Sequence, residues 1–208
     1  MIAIVDYGVG NLFSLQGSLT YLGLPSQITS KAEEIIKASH VILPGVGAFG
    51  DAARKLSALG LDAAVLEAAA KGKPLLGICL GMQLLFETGL EYGKHKGLGL
   101  LPGVVAPMEK DLPTPLRLPH IGWNSLQIRK ETPLASSQLE GEFVYYVHSY
   151  YAKTDSEAIL AESEYGVMVP GVVGVGNVYG CQFHPEKSGE VGLRILKNFA
   201  KLGGKVEV

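Results

Sequence analysis

Residues 74–81 read PLLGICLG, an apolar run that ends in a cysteine flanked by glycines. The run is short and apolar without alternation, which indicates a strand buried on both faces. Similar runs at Ile2–Val5 and residues 41–43 are separated from it by longer helical patterns. Because such strands belong to parallel sheets covered by helices on both faces, the first half of the chain predicts an α/β, doubly wound fold with a mostly parallel sheet.

The helices of this fold are marked by apolar residues at helical spacing. They comprise a leucine repeat at Leu12, Leu15, Leu19 and Leu22, an alanine-rich segment at residues 52–71 broken near Gly60, and a helix that begins within residues 82–87. A closing amphipathic helix is predicted over residues 191–202, with Leu193, Leu196, Phe199 and Ala200 on one face.

The second half of the chain is rich in Pro, Gly, Val and Tyr and predicts additional antiparallel strands. The candidate strands are residues 104–108, 126–129, 143–150, 158–162, 167–169 and 178–183. The Gly-Val run at residues 170–176 is typical of hairpins. We find no linker, repeat or low-complexity segment in the sequence, so residues 1–208 are predicted to form one domain.

Composition and charge exclude several classes of protein. The chain has 208 residues with 18 basic and 20 acidic side chains, and 47% of its residues are hydrophobic. This near-neutral charge argues against nucleic acid or a membrane surface as a partner, and the hydrophobic fraction excludes a disordered chain. The sequence has no run of 18 apolar residues and its apolar start is too short for a signal peptide, so a cytoplasmic protein is expected.

Neither a disulfide scaffold nor a metal or nucleotide cofactor is expected. Two cysteines are too few for a disulfide framework, and the histidines outside the motifs described below lack ligand spacing. These are His40, His95, His120 and His148. The third glycine of a dinucleotide-binding Gly-x-Gly-x-x-Gly loop would fall at Phe13, which argues against that site.

Cys79 lies where the predicted strand within residues 74–81 is followed by a predicted helix. A nucleophile at such an elbow needs a sharp turn, which flanking glycines permit. The helix N-terminus favours a thiolate, and the backbone N–H of Leu80 is available to a developing oxyanion. A buried structural cysteine is the alternative interpretation, and the elbow by itself does not decide between the two.

A second motif favours the nucleophile. His184 and Glu186 are two residues apart at the end of a predicted strand, so both are expected on one side, with Glu186 orienting the His184 imidazole. A solvated turn is the alternative for such a tripeptide taken alone. Cys181 is the rival thiol, but it lacks an elbow and is interpreted as core packing.

Two motifs resemble those of the class-I, triad-type glutamine amidotransferases: residues 77–83 (GICLGMQ) and 181–186 (CQFHPE). Residues 5–12 (VDYGVGNL), 43–49 (LPGVGAF) and 119–124 (PHIGWN) further resemble the members of that family that serve a separate cyclase. The likeness runs in the same order along essentially the whole chain. It implies a flavodoxin-like, doubly wound class-I glutamine amidotransferase fold.

The resemblance implies a Cys-His-Glu triad. Cys79 would attack the side-chain amide of glutamine, His184 would protonate the ammonia and then activate water, and Glu186 would orient His184. The oxyanion hole would use the backbone N–H of Leu80 together with one at Val46 or Gly47. We further hypothesise that residues 45–47 keep the oxyanion hole incomplete until the partner and its ligand bind, because the two glycines around Val46 make a peptide flip cheap.

Four residues are expected to hold the substrate by the same resemblance: Gln83, Glu91, Ser149 and Tyr150. Gln83 lies one helical turn beyond Cys79 on the same face. A solvated loop acid is the alternative interpretation for Glu91.

The expected partner is a cyclase subunit with a (β/α)₈ barrel, in a heterodimer, because the amidotransferase domain accounts for the full length and free ammonia would be wasted. The candidate contacts are Asn11, Trp123, Tyr145 and Lys187. Core packing for Trp123 and solvation for Lys187 are the competing interpretations.

Three alternatives stay open at this point. The chain could be a glutaminase that serves another synthase, a stand-alone cysteine hydrolase, or a non-enzymatic flavodoxin-like binding module. The last would leave the cysteine elbow and the His-Pro-Glu motif unexplained.

Overall fold

The structure is a computed structural model, and it describes residues 1–113 and 116–203. The strands are β1 (Ile2–Val5), β2 (Ser26–Thr29), β3 (His40–Gly45), β4 (Leu75–Cys79), β5 (Phe86–Gly89), β6 (His95–Lys96), β7 (Leu101–Pro107), β8 (His120–Ser125), β9 (Gln127–Ile128), β10 (Phe143–His148), β11 (Tyr150–Lys153), β12 (Ile159–Glu164), β13 (Met168–Val175) and β14 (Val178–Cys181). The helices are α1 (Leu12–Tyr21), α2 (Ala32–Lys37), α3 (Phe49–Ala58), α4 (Leu61–Ala70), α5 (Leu80–Leu84) and α6 (Gly189–Ala200).

The central sheet has eight strands in the order β2-β1-β3-β4-β14-β13-β12-β9. The strands from β2 to β14 pair in parallel, and β13, β12 and β9 continue the sheet with antiparallel pairing. The predicted doubly wound, mostly parallel α/β fold with added antiparallel strands is therefore confirmed. Because β3, β4 and β14 run side by side in the same direction, their carboxyl ends meet at one edge.

Helices cover both faces of this sheet. Ile2 and Ile4 of β1 pack in one apolar cluster with side chains of α1 and α6, whereas Ala3 and Val5 pack in another with side chains of α2, α3 and α4. This alternation follows from the two-residue period of a strand. The break between α3 and α4 at Gly60 is confirmed by its left-handed φ of 67°. Among the described residues, the longest helix is α6, with 12 residues. No helix in this part of the chain is long and apolar enough to cross a membrane.

Two smaller sheets accompany the central sheet. β8 and β10 form an antiparallel pair, and β11, β7, β5 and β6 form a four-stranded sheet. The helix predicted to begin within residues 82–87 differs in the structure, because α5 already ends at Leu84 and strand β5 follows it. The N–H groups of Leu98 and Leu100 donate to the carbonyls of Leu84 and Leu85, so these carbonyls are not available to a longer helix.

The predicted elements need two further corrections. Residues 143–150 form not one strand but two, β10 and β11, which separate at Ser149 and join different sheets. The hairpin predicted at residues 170–176 is confirmed: the run supplies most of β13 and the first turn residue, Gly176 with φ of 59°, and β14 returns antiparallel with Val178 opposite Val175. Strand β8 and the β2–α2 segment had no counterpart among the predicted elements.

The closing helix is confirmed, although it begins at Gly189 and buries Ile195 while Leu193 is only half-buried. The assignment of residues 1–208 to one domain stays a prediction. Its positions 114–115 and 204–208 lie outside the described residues.

Candidate active site

Cys79 is the last residue of β4 and directly precedes α5. Its backbone has φ of 53° and ψ of −113°, a conformation that residues other than glycine rarely adopt. Such a conformation costs about 1–3 kcal/mol and persists only where the surroundings enforce it. The predicted elbow is therefore present, and it turns the thiol out of the sheet at the carboxyl edge.

Tight packing against α5 enforces the elbow. A Cβ added to Gly81 would lie 1.8 Å from the carbonyl oxygen of Leu43, and one added to Gly77 would lie 2.6 Å from Cα of Met82. The first turn of α5 thus rests directly on the backbone of β3 and β4. The glycines that flank Cys79 are required by these contacts.

The loop after β3 lies beside the elbow, because Gly45 and Cys79 are register partners at the ends of β3 and β4. Val46 is 43% exposed, and Gly47 has a φ of 100° that favours glycine. The Tyr7 hydroxyl donates to the Pro44 carbonyl at 2.8 Å and anchors the start of this loop. Val46, Gly47 and Leu80 thus line the same cleft as the thiol.

His184 and Glu186 are in contact, as the sequence predicts. His184 Nδ1 lies 2.8 Å from Glu186 Oε1, and both side chains are 2% exposed. The predicted reason was wrong, because β14 already ends at Cys181 and Glu186 lies in the 3₁₀ helix Pro185–Lys187. The contact arises from the tight turn and not from alternation along a strand.

Neighbouring side chains hold this turn in place. Asn11 Nδ2 donates to Glu186 Oε1 at 3.3 Å. The Ser188 hydroxyl donates to the His184 carbonyl at 2.6 Å and accepts from the N–H of Tyr145 at 3.0 Å. The His184 backbone N–H donates in turn to the Tyr145 carbonyl. The imidazole is therefore fixed through β10 as well as through its own turn.

The electrostatic surroundings favour the charged form of His184. Burial alone would lower its pKa, but the interactions with Cys79 and Glu186 outweigh burial and raise the pKa to about 9. Within the described residues, His184 Nε2 has no hydrogen-bond partner that meets ordinary geometric criteria. An imidazolium beside a thiol can stabilise a thiolate and can later give up its proton.

A cleft of about 480 Å³ brings most of the predicted residues together. Those that line it are Val46, Gly47, Cys79, Leu80, Gln83, Glu91, Ser149, Tyr150, His184 and Lys187. Glu186 lies behind His184, and the remaining predicted residues lie outside the cleft lining. The cleft also includes Tyr92, Pro119, Val147 and His148, which the sequence did not single out.

Two of the predicted substrate-binding side chains already have partners. Gln83 Nε2 donates to the Tyr150 carbonyl at 3.1 Å and to Gln182 Oε1 at 3.0 Å, which leaves Gln83 Oε1 for a ligand. Glu91 Oε2 accepts the N–H of Phe49 at 2.7 Å, at the first residue of α3. Glu91 is therefore held in place and is not a freely solvated loop acid.

Gln182 is a residue that sequence reasoning missed. It is fully buried, and its Nε2 lies 3.9 Å from Cys79 Sγ. Its position between Cys181 and His184 in the second motif was the available signal. Cys181 itself is fully buried in an apolar cluster, and burial raises the pKa of its thiol, which agrees with a packing role.

An exposed apolar face lies on β8 and β10, beside the cleft. Trp123 is 52% exposed, so it is not a core residue, and its ring lies edge-to-face with that of Tyr145 at 5.8 Å. Ile121 and Phe143 are also more than half exposed and occupy alternate positions on the same strands. Lys187 Nζ lies 5.9 Å from the Tyr145 ring centroid. Such a face is typical of a protein-binding surface.

The described residues contain no group of three or more His, Cys, Asp or Glu side chains that could hold a metal ion. The chemistry available at the cleft is that of a thiol, an imidazolium, a carboxylate and backbone N–H groups. This set suits acyl transfer through a covalent thioester.

Comparisons with known proteins agree with this geometry. The family model of class-I glutamine amidotransferases matches residues 3–202. The chain is 52% identical over 202 residues to "Imidazole glycerol phosphate synthase subunit HisH" of Listeria monocytogenes serotype 4a, covering 97% of this chain and 96% of that protein. It is 52% identical over 199 residues to the protein of the same name from Bacillus cytotoxicus, covering 96% and 93%. A crystal structure described as a glutamine amidotransferase superimposes with a TM-score of 0.77 at 20% identity, covering 99% of this chain and 100% of that one.

Proposed function

The chain belongs to the class-I glutamine amidotransferase family, and we propose that it is the glutaminase subunit of an imidazole glycerol phosphate synthase. The observation that carries the proposal is the 52% identity to HisH proteins over 97% of the chain. The cleft supports it, because Cys79 and His184 both line it and Glu186 contacts the His184 ring from behind.

The reaction we propose begins with attack of the Cys79 thiolate on the side-chain carbonyl carbon of glutamine. Negative charge develops on the carbonyl oxygen and is stabilised by the N–H of Leu80 and by one from residues 46–47. The imidazolium of His184 donates its proton to the departing nitrogen, so that ammonia leaves and a γ-glutamyl thioester remains on Cys79. The raised pKa of His184 keeps this proton available at neutral pH.

Hydrolysis of the thioester completes the cycle. His184, now neutral, takes a proton from a water molecule, whose oxygen attacks the thioester carbon. The carbon–sulfur bond breaks, glutamate leaves and the thiolate of Cys79 is restored beside a protonated His184. Glu186 keeps Nδ1 of the ring protonated throughout, so that Nε2 is the atom that exchanges protons.

The substrate is held by groups on three sides of the cleft. Gln83 Oε1 can accept from the glutamine ammonium or amide, because both hydrogens of its Nε2 are already donated. We assign the backbone of Ser149 and Tyr150 to the substrate's main-chain end, and the carboxylate of Glu91 to its ammonium group. All three residues line the cleft.

Ammonia made here needs an acceptor, and we propose a cyclase subunit with a (β/α)₈ barrel as the partner in a heterodimer. Its docking surface would be the face of Trp123 and Tyr145, with Lys187 and Asn11 nearby. The ring-forming lyase step, which makes imidazole glycerol phosphate and aminoimidazole carboxamide ribonucleotide in histidine biosynthesis, would belong to that partner, and this chain would carry only the hydrolysis. A cytoplasmic location stays a prediction.

The test is to purify the chain with a candidate cyclase and to measure product formation with glutamine as the nitrogen source. We expect co-purification and glutamine-dependent product, with low glutaminase turnover for the chain alone and higher turnover when the cyclase and its ligand are added. Equal turnover with and without the cyclase would indicate a stand-alone hydrolase. Turnover only with a different synthase would assign the chain to that enzyme, and no glutamine hydrolysis in any combination would favour a binding module.

A further inference from the structure

Two buried imidazoles adjoin the cleft without a role in the proposed reaction. His120 and His148 are 0% and 6% exposed and face each other across β8 and β10. His120 Nδ1 lies 3.0 Å from His148 Nε2. His148 Nδ1 lies 2.9 Å from the Tyr150 carbonyl oxygen, and His120 Nε2 lies 2.7 Å from Asn124 Oδ1. Each ring nitrogen therefore has a polar neighbour, which is what buried imidazoles require.

The Tyr150 carbonyl fixes the direction of the hydrogen bonds around it. A carbonyl oxygen only accepts, so His148 must carry its proton on Nδ1, and Gln83 must present its nitrogen. Gln83 Nε2 also donates to Gln182 Oε1, so Gln182 must present its own nitrogen on the opposite side, at Cys79 Sγ. One carbonyl thus sets the orientation of two amides in series, and the last N–H of the series faces the nucleophile.

The two rings make three polar contacts that each need a proton, and two neutral rings supply only two protons. Burial lowers the pKa of His148 to about 3 and also lowers that of His120, so both rings are neutral at pH 7 with one N–H each. With its proton on Nδ1, His148 accepts from His120 through Nε2, so the proton of His120 lies on its Nδ1. His120 Nε2 then faces Asn124 Oδ1 with no proton between two acceptors, and this contact opposes the arrangement that the Tyr150 carbonyl requires. The titratable groups that face the pair are the stacked rings of Tyr146 and Tyr165, and His184 beyond His148.

A role in packing alone does not account for these contacts. The rings of His120 and Tyr165 are stacked at 3.9 Å, and an apolar ring could make that contact equally well. What an apolar ring could not supply is the N–H at the Tyr150 carbonyl, which is the same oxygen that orients Gln83.

We propose that His148, with its proton on Nδ1, is a positioning residue for the glutamine site that acts by fixing the Tyr150 carbonyl and through it the amides of Gln83 and Gln182. That the substrate is glutamine rests on the proposed function. That His148 positions the two amides rests on the hydrogen bonds described above. Loss of the His148 donor frees the carbonyl, so that Gln83 holds glutamine less well and Gln182 no longer directs its N–H at Cys79.

The test compares His148→Leu with His148→Asn in the full chain. Leucine removes every polar atom of the ring, whereas the asparagine amide can place an N–H where Nδ1 lies. For the leucine variant we expect the KM for glutamine, measured with the cyclase, to rise about fivefold, which is the effect of one lost hydrogen bond. We also expect iodoacetamide to alkylate Cys79 about threefold more slowly, as followed by mass spectrometry of the Cys79 peptide. The asparagine variant should return both values to within about twofold of the parent.

Gln182→Met breaks the next link and should slow alkylation of Cys79 in the same way, which keeps the proposal testable if the leucine variant does not fold. A folded leucine variant with unchanged KM and alkylation rate would overturn the proposal, as would an asparagine variant no better than leucine. Alkylation does not depend on glutamine. A parent chain that hydrolyses no glutamine would therefore refute the proposed function, while the alkylation comparison would still decide the positioning role.

Discussion

Cys79 and His184 lie at the same cleft but are held by different means. The elbow at Cys79 is enforced by backbone packing, with α5 resting on β3 and β4 through Gly77 and Gly81. The turn at His184 is held by side-chain hydrogen bonds from Asn11, Glu186 and Ser188. Packing of this kind allows no adjustment, whereas hydrogen bonds set the charge and direction of the group they hold. The nucleophile thus needs a fixed position, and the acid–base group needs a fixed protonation state as well.

Removal of the nucleophile should have the largest effect. Cys79→Ala is expected to reduce glutamine hydrolysis by on the order of 10⁴-fold or more, since the covalent route is lost. Cys181→Ala is the matched control and should keep most of the activity, because Cys181 only packs in the core. Glutamate release in the presence of the cyclase is the measurement. The opposite pattern would make Cys181 the nucleophile and would remove the elbow from the mechanism.

The hydrogen-bonded side of the comparison is tested by Glu186→Gln. We expect turnover to fall on the order of 10³-fold, because the ring of His184 loses the acceptor that fixes its tautomer. In the parent, turnover should decline as the pH rises through about 9, where His184 loses its proton. Because Glu186 helps to raise that pKa, the decline in the variant should move to lower pH. An unchanged pH profile would show that Glu186 does not set the charge of His184.

The same raised pKa predicts a pH dependence of stability. The charged form of His184 is favoured in the folded state, so its contribution is fully present below the unfolded pKa of about 6.5 and is lost as the pH rises through about 9. Urea unfolding of Glu186→Gln across this range should show a smaller loss of stability than the parent.

The packed side of the comparison is tested by Gly81→Ala. A methyl group here would lie 1.8 Å from the Leu43 carbonyl oxygen, so α5 must move away from β3. We expect a loss of about 3 kcal/mol in the free energy of unfolding, as is usual for overpacking against backbone. Gly17→Ala in α1 is the control, because its added methyl group meets nothing within 4 Å and should stabilise the helix by about 0.5–1 kcal/mol. Equal urea midpoints for the two variants would contradict the packing argument.

The smallest effect in this comparison is expected at the apolar face of Trp123 and Tyr145, where the Trp123 side chain takes no part in the packing at Cys79 or in the hydrogen bonds at His184. Trp123→Ala should weaken binding of the cyclase about thirtyfold, which corresponds to about 2 kcal/mol for an exposed aromatic anchor. The Kd can be measured by titration of the cyclase with the labelled chain. Exposed Tyr21, on the outer face of α1, offers a control, because Tyr21→Ala should leave the Kd unchanged. Equal losses in both variants would argue against a docking surface at Trp123.

Several elements of the fold could be predicted because their signals are local. The apolar strands at β1, β3 and β4 and the break at Gly60 follow from composition and spacing alone. The failures share a physical cause. The end of α5 at Leu84 and the split at Ser149 depend on hydrogen bonds to distant residues, Leu98 in the first case and β7 in the second. The spacing of apolar residues within a single helix or strand carries no signal for these hydrogen bonds.

The sequence by itself determined the parallel α/β core, the elbow at Cys79 and the pairing of His184 with Glu186, because each depends on residues that are neighbours along the chain. Only the tertiary structure decided what surrounds the thiol. Gln182 follows β14, His148 ends β10 and Tyr150 begins β11, and the Gln83 amide joins the Tyr150 carbonyl to Gln182. The contacts of Gln83 with Tyr150 and Gln182 join residues far apart in the chain, so they depend on how the strands are arranged in space and are not encoded locally.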